Sequence, residues 1–177
     1  MDFASIPYTE EQLDKFTEKR LKSEIRDGVQ TLQYQYLTLS TGNGQSPFIS
    51  VCIYLNETKD PKLRADLALI AEEMLKQRIQ GIKNRQGVWV TPTFPKILFI
   101  IDEFTCDETR EYWWLTELAA KCTAKRMVPD YISEKIMLES KIDKNGNGNV
   151  YACMGLDIYS PCKIWLTLLK GCELIAC

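Results

Sequence analysis

Chemistry in this chain has to run without imidazole, because none of its 177 residues is histidine. That excludes Ser/His/Asp and Cys/His nucleophile systems, histidine general acid–base catalysis and histidine-bearing zinc sites. Thiol, carboxylate, amine and phenol chemistry remain, or a bound cofactor. Seven cysteines are available: Cys52, Cys106, Cys122, Cys153, Cys162, Cys172 and Cys177. They form no Cys-x-x-Cys pair, and Met1 is followed by Asp2 and a mixed acidic-basic stretch rather than a basic apolar leader. They therefore read as reduced thiols of a cytoplasmic protein. The last four lack the paired knuckle of a four-thiolate zinc site.

Other motifs carry weaker chemistry. Asp143-Lys144-Asn145-Gly146-Asn147-Gly148 matches the first half of a calcium loop, with oxygen ligands at alternate positions and a glycine for the turn. The twelfth position of such a loop needs a bidentate Glu, and here it is Met154. An Asn/Gly turn leading into a strand is the favoured reading. Gly42-Asn43-Gly44-Gln45 looks like a phosphate cradle, yet it follows a helix and opens a strand, the reverse of a dinucleotide fingerprint. A helix-ending turn accounts for it. Thr91-Pro92-Thr93-Phe94-Pro95-Lys96 reads as a rigid lead-in to a strand, because both prolines fix the backbone and remove donors. Trp113-Trp114 and the Tyr34/Tyr36 pair read as core or interface residues on helices rather than stacking platforms.

These residues need elements to hold them. Thr9 with Gln12 makes a capping-box start. The helix that follows carries Ile25, Val29, Leu32, Tyr36 and Leu39 on one stripe and stops at the turn-rich Ser40 to Gly44. Phe48 to Leu55 is a continuous apolar run, the signature of a strand buried on both faces. Asp60-Pro61 opens a second helix, with Asp60 as cap and Pro61 at its first position. Its stripe is Leu63, Leu67, Ile70, Ala71, Met74, Leu75, Ile79 and Ile82. Pro95 to Ile101 is a second buried strand. Glu111 to Met127 is a third helix, with Leu115, Leu118, Ala119 and Cys122 inward. A short fourth helix starts near Pro129, and Val150 to Cys153 forms a short strand. Buried strands alternating with helices predict α/β with parallel pairing.

The chain is 45% hydrophobic and 26% charged, with a net charge of −2, and has the length for one domain with a sizeable core. No basic run or stripe marks a nucleic-acid or membrane-surface binder. Residues 1–155 read as one unit. From Leu156 to Cys177 the chain turns apolar and loses the preceding pattern, and the run IWLTLL is far shorter than the roughly 20 residues that cross a bilayer.

Three ordered strings place the chain. LTLSTGNGQSPFISV matches a Thr-x-Ser-x-x-Gly-x-Gln-x-Pro-Phe segment that leads into a barrel strand, with Gln45, Ser46 and Pro47 on the matching positions. TPTFPKILFII is the second string. The third is CTAKRMVPDYISEKIMLESKIDKNGNGNVYACMG, from Cys122 to Gly155. From Gln33 to Gly155 the chain resembles anaerobic (class III) ribonucleoside-triphosphate reductase, a glycyl-radical enzyme in which a Lys-Arg-Met-x-Pro-Asp helix start leads to a Met-Gly-Cys-Arg loop.

The resemblance implies an α/β barrel of two parallel half-sheets with a finger loop between them. This chain would supply part of one half-barrel, up to that loop. In the family a glycyl radical oxidises the loop cysteine, and the resulting thiyl takes a ribose 3′ hydrogen while formate or thiols supply reducing equivalents. The radical comes from an iron-sulfur/S-adenosylmethionine activase, and the family also carries zinc. Here Met154 and Gly155 match the loop, but the cysteine position is Leu156, which has no abstractable thiol. Cys153, three residues away, is the substitute candidate.

No cofactor site is expected within this segment. The resemblance therefore implies a reductase fragment, inactive alone, whose partners are the ribonucleoside triphosphate, the remaining reductase polypeptide and the activating enzyme. Residues 156–177 are then a divergent, non-native tail. The alternative is a non-catalytic module that completes a split reductase, with the apolar tail packed on its partner.

Overall fold

The computed structural model describes residues 9–38, 44, 48–140, 146, 148 and 150, together with the backbone of Ile158 and Tyr159. The expected capping box opens α1 (Glu10–Thr38). The backbone N–H of Thr9 donates to Gln12 Oε1 at 3.1 Å, and the N–H of Gln12 donates back to Thr9 Oγ1 at 3.4 Å. The N–H of the cap residue Thr9 is thereby satisfied, and that of Gln12 is shared with Thr9 O at 2.9 Å. The first half of α1 lies exposed and is laced by ion pairs four residues apart, Glu11–Lys15, Glu18–Lys22 and Arg20–Glu24. Solvent screens such exposed pairs, so they support the helix only weakly. Only the second half packs, through Ile25, Val29 and Leu32.

The central layer is a parallel sheet of β1 (Ser50–Ile53), β4 (Lys96–Ile101), β5 (Asp130–Ser133) and β6 (Ile158–Tyr159), in the order β5-β4-β1-β6. Register sets Val51 opposite Ile97 and Phe99 opposite Tyr131. Two crossover helices join the strands: α2 (Pro61–Gln80) links β1 to β4, and α3 (Trp113–Arg126) links β4 to β5. Between α2 and β4 lies a small antiparallel hairpin, β2 (Ile82–Lys83) with β3 (Trp89–Val90), which the apolar pattern did not announce. A short α4 (Glu134–Ser140) follows β5.

The core forms where alternate strand residues meet the helices. Ile53, Ile97 and Phe99 pack against Leu67, Ala71 and Leu75 of α2 and Leu115, Ala119 and Cys122 of α3. Val51 joins Ile70 and Met74 of α2 to Ile25 and Val29 of α1. Each large aliphatic or aromatic side chain buried this way contributes about 1.5–3 kcal/mol. The opposite sheet face carries Cys52 and Leu98, with Ile132 half-buried beside them.

The predicted start of α2 is observed: Asp60 Oδ1 accepts the N–H of Lys62 at 2.9 Å, and Pro61 takes the first helical position. Three expectations need correction. The first strand is shorter than Phe48 to Leu55. Phe48 is 72% exposed and meets Phe94 edge-on, while Leu55–Glu57 winds into a 3₁₀ turn. Ile82 leaves the α2 stripe, because Gly81 ends the helix at φ 84° and Ile82 enters β2.

The helix expected near Pro129 begins at Glu134 instead, and Asp130–Ser133 form β5. Met127, in the left-handed region at φ 59°, caps α3, and its N–H bonds Thr123 O at 2.8 Å. The 130–133 segment then pairs along β4, so long-range hydrogen bonding decides against the local Pro-Asp signal. The expected strand at Val150 to Cys153 falls largely outside the described residues.

Candidate functional site

Parallel sheets collect ligands at the carboxyl ends of their strands. At that edge three segments converge here: the chain leaving β1, the turn after β4 and the start of α4. Alternation along β1 turns Val51 and Ile53 toward the helices, so Cys52 and Tyr54 share the other face.

Tyr54 reaches Glu134, eighty residues away in sequence. Its hydroxyl donates to Glu134 Oε1 at 2.5 Å. Asn56 Nδ2 donates to the same oxygen at 2.8 Å. Glu134 is 8% exposed, so its carboxylate depends on these donors. Burial first, and then the Glu134 carboxylate, push the Tyr54 phenol well above the usual tyrosine range. The pair is a hydrogen-bonded phenol and carboxylate at a strand end, able to hold a hydroxyl-bearing ligand or to accept a proton from it.

Asp102 fixes the loop that carries Asn56. Its Oδ2 accepts the N–H groups of Leu55 at 3.1 Å and Asn56 at 3.0 Å. Its Oδ1 accepts the N–H of Phe104 and the hydroxyl of Thr105, both at 3.0 Å. Burial pushes this carboxyl up, against the Thr105 hydroxyl and the Phe104 and Asn56 amides, which favour its ionised form. Arg64 holds the carbonyl side of the same loop. It donates to Leu55 O and Thr58 O, and its guanidinium lies 3.7 Å over the Phe104 ring. With amides and carbonyls both tied, the loop presents Asn56 from a fixed backbone.

Cys52, two residues before Tyr54, is buried, and its thiol is pushed up to about 11 by burial and then by Glu57. It stays protonated at neutral pH, the form that donates hydrogen rather than attacks as a nucleophile.

Cys153, Met154, Gly155 and Leu156, singled out in the sequence, lie outside the described residues. So do Cys162, Cys172 and Cys177, the matching Gln45, Ser46 and Pro47, and Asp143, Asn145 and Asn147 of the calcium-like turn. Among the described residues no three His, Cys, Asp or Glu side chains come together in a group that could hold a metal ion. Thr91 has a structural partner, since its Oγ1 accepts from Arg126 Nη1 at 2.9 Å. Of the aromatic pairs, Trp113 and Tyr36 are half-buried, while Trp114 and Tyr34 are exposed.

The strand-end cluster escaped sequence reasoning. The hydrogen bonds that assemble it join residues forty-six to eighty apart, and no local spacing announces them. The one available signal was positional: Tyr54 and Asp102 each end an apolar strand run, where functional side chains gather in parallel sheets.

Comparison with known proteins places these features in a family. The family model described as anaerobic ribonucleoside-triphosphate reductase matches residues 3–160. Curated relatives of that description include one from Enterobacteria phage T4, 29% identical over 121 residues, which cover 68% of this chain and 18% of the relative. The protein of Escherichia coli (strain K12) is 33% identical over 120 residues, 67% of this chain and 15% of its own length. That of Haemophilus influenzae is 31% identical over 123 residues, 68% of this chain and 16% of its own. The chain thus spans less than a fifth of the length of these relatives.

Proposed function

The chain belongs to the anaerobic ribonucleoside-triphosphate reductase family, and from that premise we propose that it is a segment of such a reductase without the reductase activity of its own. The observation that carries this reading is the match over residues 3–160 combined with Leu156 where the family loop places a cysteine. Reduction of a ribonucleotide to a deoxyribonucleotide through a thiyl needs a thiol at that loop. The glycyl radical of the family supplies the oxidant that converts it.

In this reading the parallel sheet is part of one half-barrel. The Tyr54–Glu134–Asn56 cluster at its carboxyl edge orients a ribose hydroxyl of the ribonucleoside triphosphate. Cys153 is the residual thiol of the loop, to which Met154 and Gly155 belong by their match to the family. Residues 156–177 form a divergent tail.

Incubating the purified chain with the S-adenosylmethionine-dependent activase, formate and ribonucleoside triphosphates tests the reading. No deoxyribonucleotide is expected from the chain alone. Turnover by the isolated chain would sink the claim of inactivity.

A second reading, an assembly module that completes a split reductase, is favoured by one observation. Among the described residues β5 pairs with β4 alone, and Tyr131, Ile136 and Leu138 stand exposed around it. Such an edge accepts a further strand. Co-purification of the chain with the remaining reductase polypeptide is the outcome this reading requires.

A further inference from the structure

Strand β1 is built like the middle of a sheet. Its residues Ser50, Val51, Cys52 and Ile53 are all buried. None is a charge or a proline, the devices that blunt an exposed edge. One edge of β1 is taken by β4. Lys96 N–H donates to Ile49 O at 2.8 Å, and Ser50 stands opposite Lys96. Ile49, Val51 and Ile53 therefore turn their backbone groups toward β4, because successive residues of a strand face opposite ways. The N–H and C=O groups of Ser50 and Cys52 point to the other edge. In a buried strand such groups need partners.

The partner comes from a stretch that the sequence sets apart. From Leu156 the chain loses the pattern of the preceding elements, yet Ile158 pairs with Ser50 and Tyr159 with Val51 in parallel register. In a parallel pair, a residue facing its neighbour bonds the residues just before and just after its partner. This register sets the N–H of Tyr159 against Ser50 O and the N–H of Cys52 against Tyr159 O. The next rung would ask position 161 for an N–H to meet Cys52 O. Residue 161 is proline, which has none. The sequence thus explains why β6 stops after two residues.

Shortness also makes β6 the weakest joint of the sheet. Two residue pairs hold it to β1, whereas four hold β4 to β1 and four hold β5 to β4. We propose that Ile158–Tyr159 is a strap supplied by the chain itself, which closes the β1 edge against other strands and leaves β5 as the side where a partner strand adds. The closure stands on the register alone. Its second half, the choice of β5 by a partner, rests on the assembly-module reading.

Amide exchange followed by NMR on the full 177-residue chain tests the strap, with Tyr159→Pro as the breaking variant. That substitution removes the N–H set against Ser50 O. Exchange at Ser50 and Cys52 should speed up roughly tenfold or more, while Val51 and Ile53, bonded to β4, keep their protection. Sedimentation of the variant should depend on concentration more steeply than that of the parent, because a bare apolar edge pairs with a second copy. Pro161→Ala acts in the opposite sense. It restores the missing donor, so the new amide at position 161 should be protected from exchange.

Unchanged exchange at Ser50 and Cys52 in a folded Tyr159→Pro chain would overturn the proposal. So would an equal rise at all four β1 amides, the mark of general destabilisation. Should Tyr159→Pro fail to fold, Pro161→Ala decides, and an unprotected amide at 161 counts against the strap. A strap that passes these tests while no reductase polypeptide co-purifies would sink the assembly module and leave the closure of β1 intact.

Discussion

At the carboxyl edge of the sheet a carboxylate takes backbone N–H groups while Arg64 takes the carbonyls; at the amino edge, among the described residues, guanidinium groups meet backbone carbonyls without a carboxylate beside them. Asp102 takes the amides of Leu55, Asn56 and Phe104. On the other side Arg78, 1% exposed, donates to Pro92 O and Pro95 O, and Arg126 takes the final carbonyls of α2. The two solutions answer one problem. Each end of a βαβ unit leaves backbone groups that the ladder and the helix cannot satisfy, and buried ones must be paired. The difference lies in what is left over. Arg78 is spent on structure, with burial lowering its pKa to about 10 and leaving Nε as its one unpartnered atom. At the carboxyl edge, Glu134 and Tyr54 bind each other rather than the backbone. That edge holds the polar groups a ligand could borrow.

The largest effect that would break this contrast is at Arg78. Arg78→Met keeps volume but strips donors from two buried carbonyls, and about 3 kcal/mol of stability should be lost. Urea unfolding measures it. A variant as stable as the parent would mean that the guanidinium is not what holds the amino edge. Asp102→Asn comes next. An amide accepts at one atom only, so the N–H groups of Leu55 and Asn56 lose their acceptor at a cost of about 2 kcal/mol. The same denaturation experiment reads it, with amide exchange at Leu55 and Asn56 rising.

The smallest effect belongs to Tyr54. Tyr54→Phe should cost about 1 kcal/mol at neutral pH. Its sign against pH sharpens the comparison. The folded phenol titrates above the unfolded one, so its contribution is complete below about pH 10, the ordinary tyrosine value, and is lost as pH rises through the folded value. Stability curves of parent and variant should therefore converge on the alkaline side. Curves that stay parallel would detach Tyr54 from Glu134.

Much of the scaffold was legible in the residues. Thr9 with Gln12, and Asp60 with Pro61, are local signals whose hydrogen bonds close within three residues, so sequence alone could place them. The cores of β1 and β4 followed from apolar runs, because parallel strands are covered on both faces. β5 was not legible. Pro129-Asp130 carries a helix-start signal, and only pairing with β4 overrules it. The 82–90 hairpin was hidden for a related reason: Asn84 turns it through a side-chain acceptor for the N–H groups of Gln86 and Val88, a device too short to show periodicity. The strand-end cluster was out of reach because its chemistry is made by distance along the chain.

The order in which the strands sit has a consequence for how the protein comes into being. β1, β4 and β5 lie side by side in the order in which they leave the ribosome, each joined to the next by one helix. A nascent chain can therefore lay each new strand on an edge already made, with α2 and then α3 closing over it, and no strand has to be threaded between two others. Synthesis lays β4 and then β5 outward from β1, and the edge that waits longest for company is the other side of β1, the first strand made, which β6 reaches last.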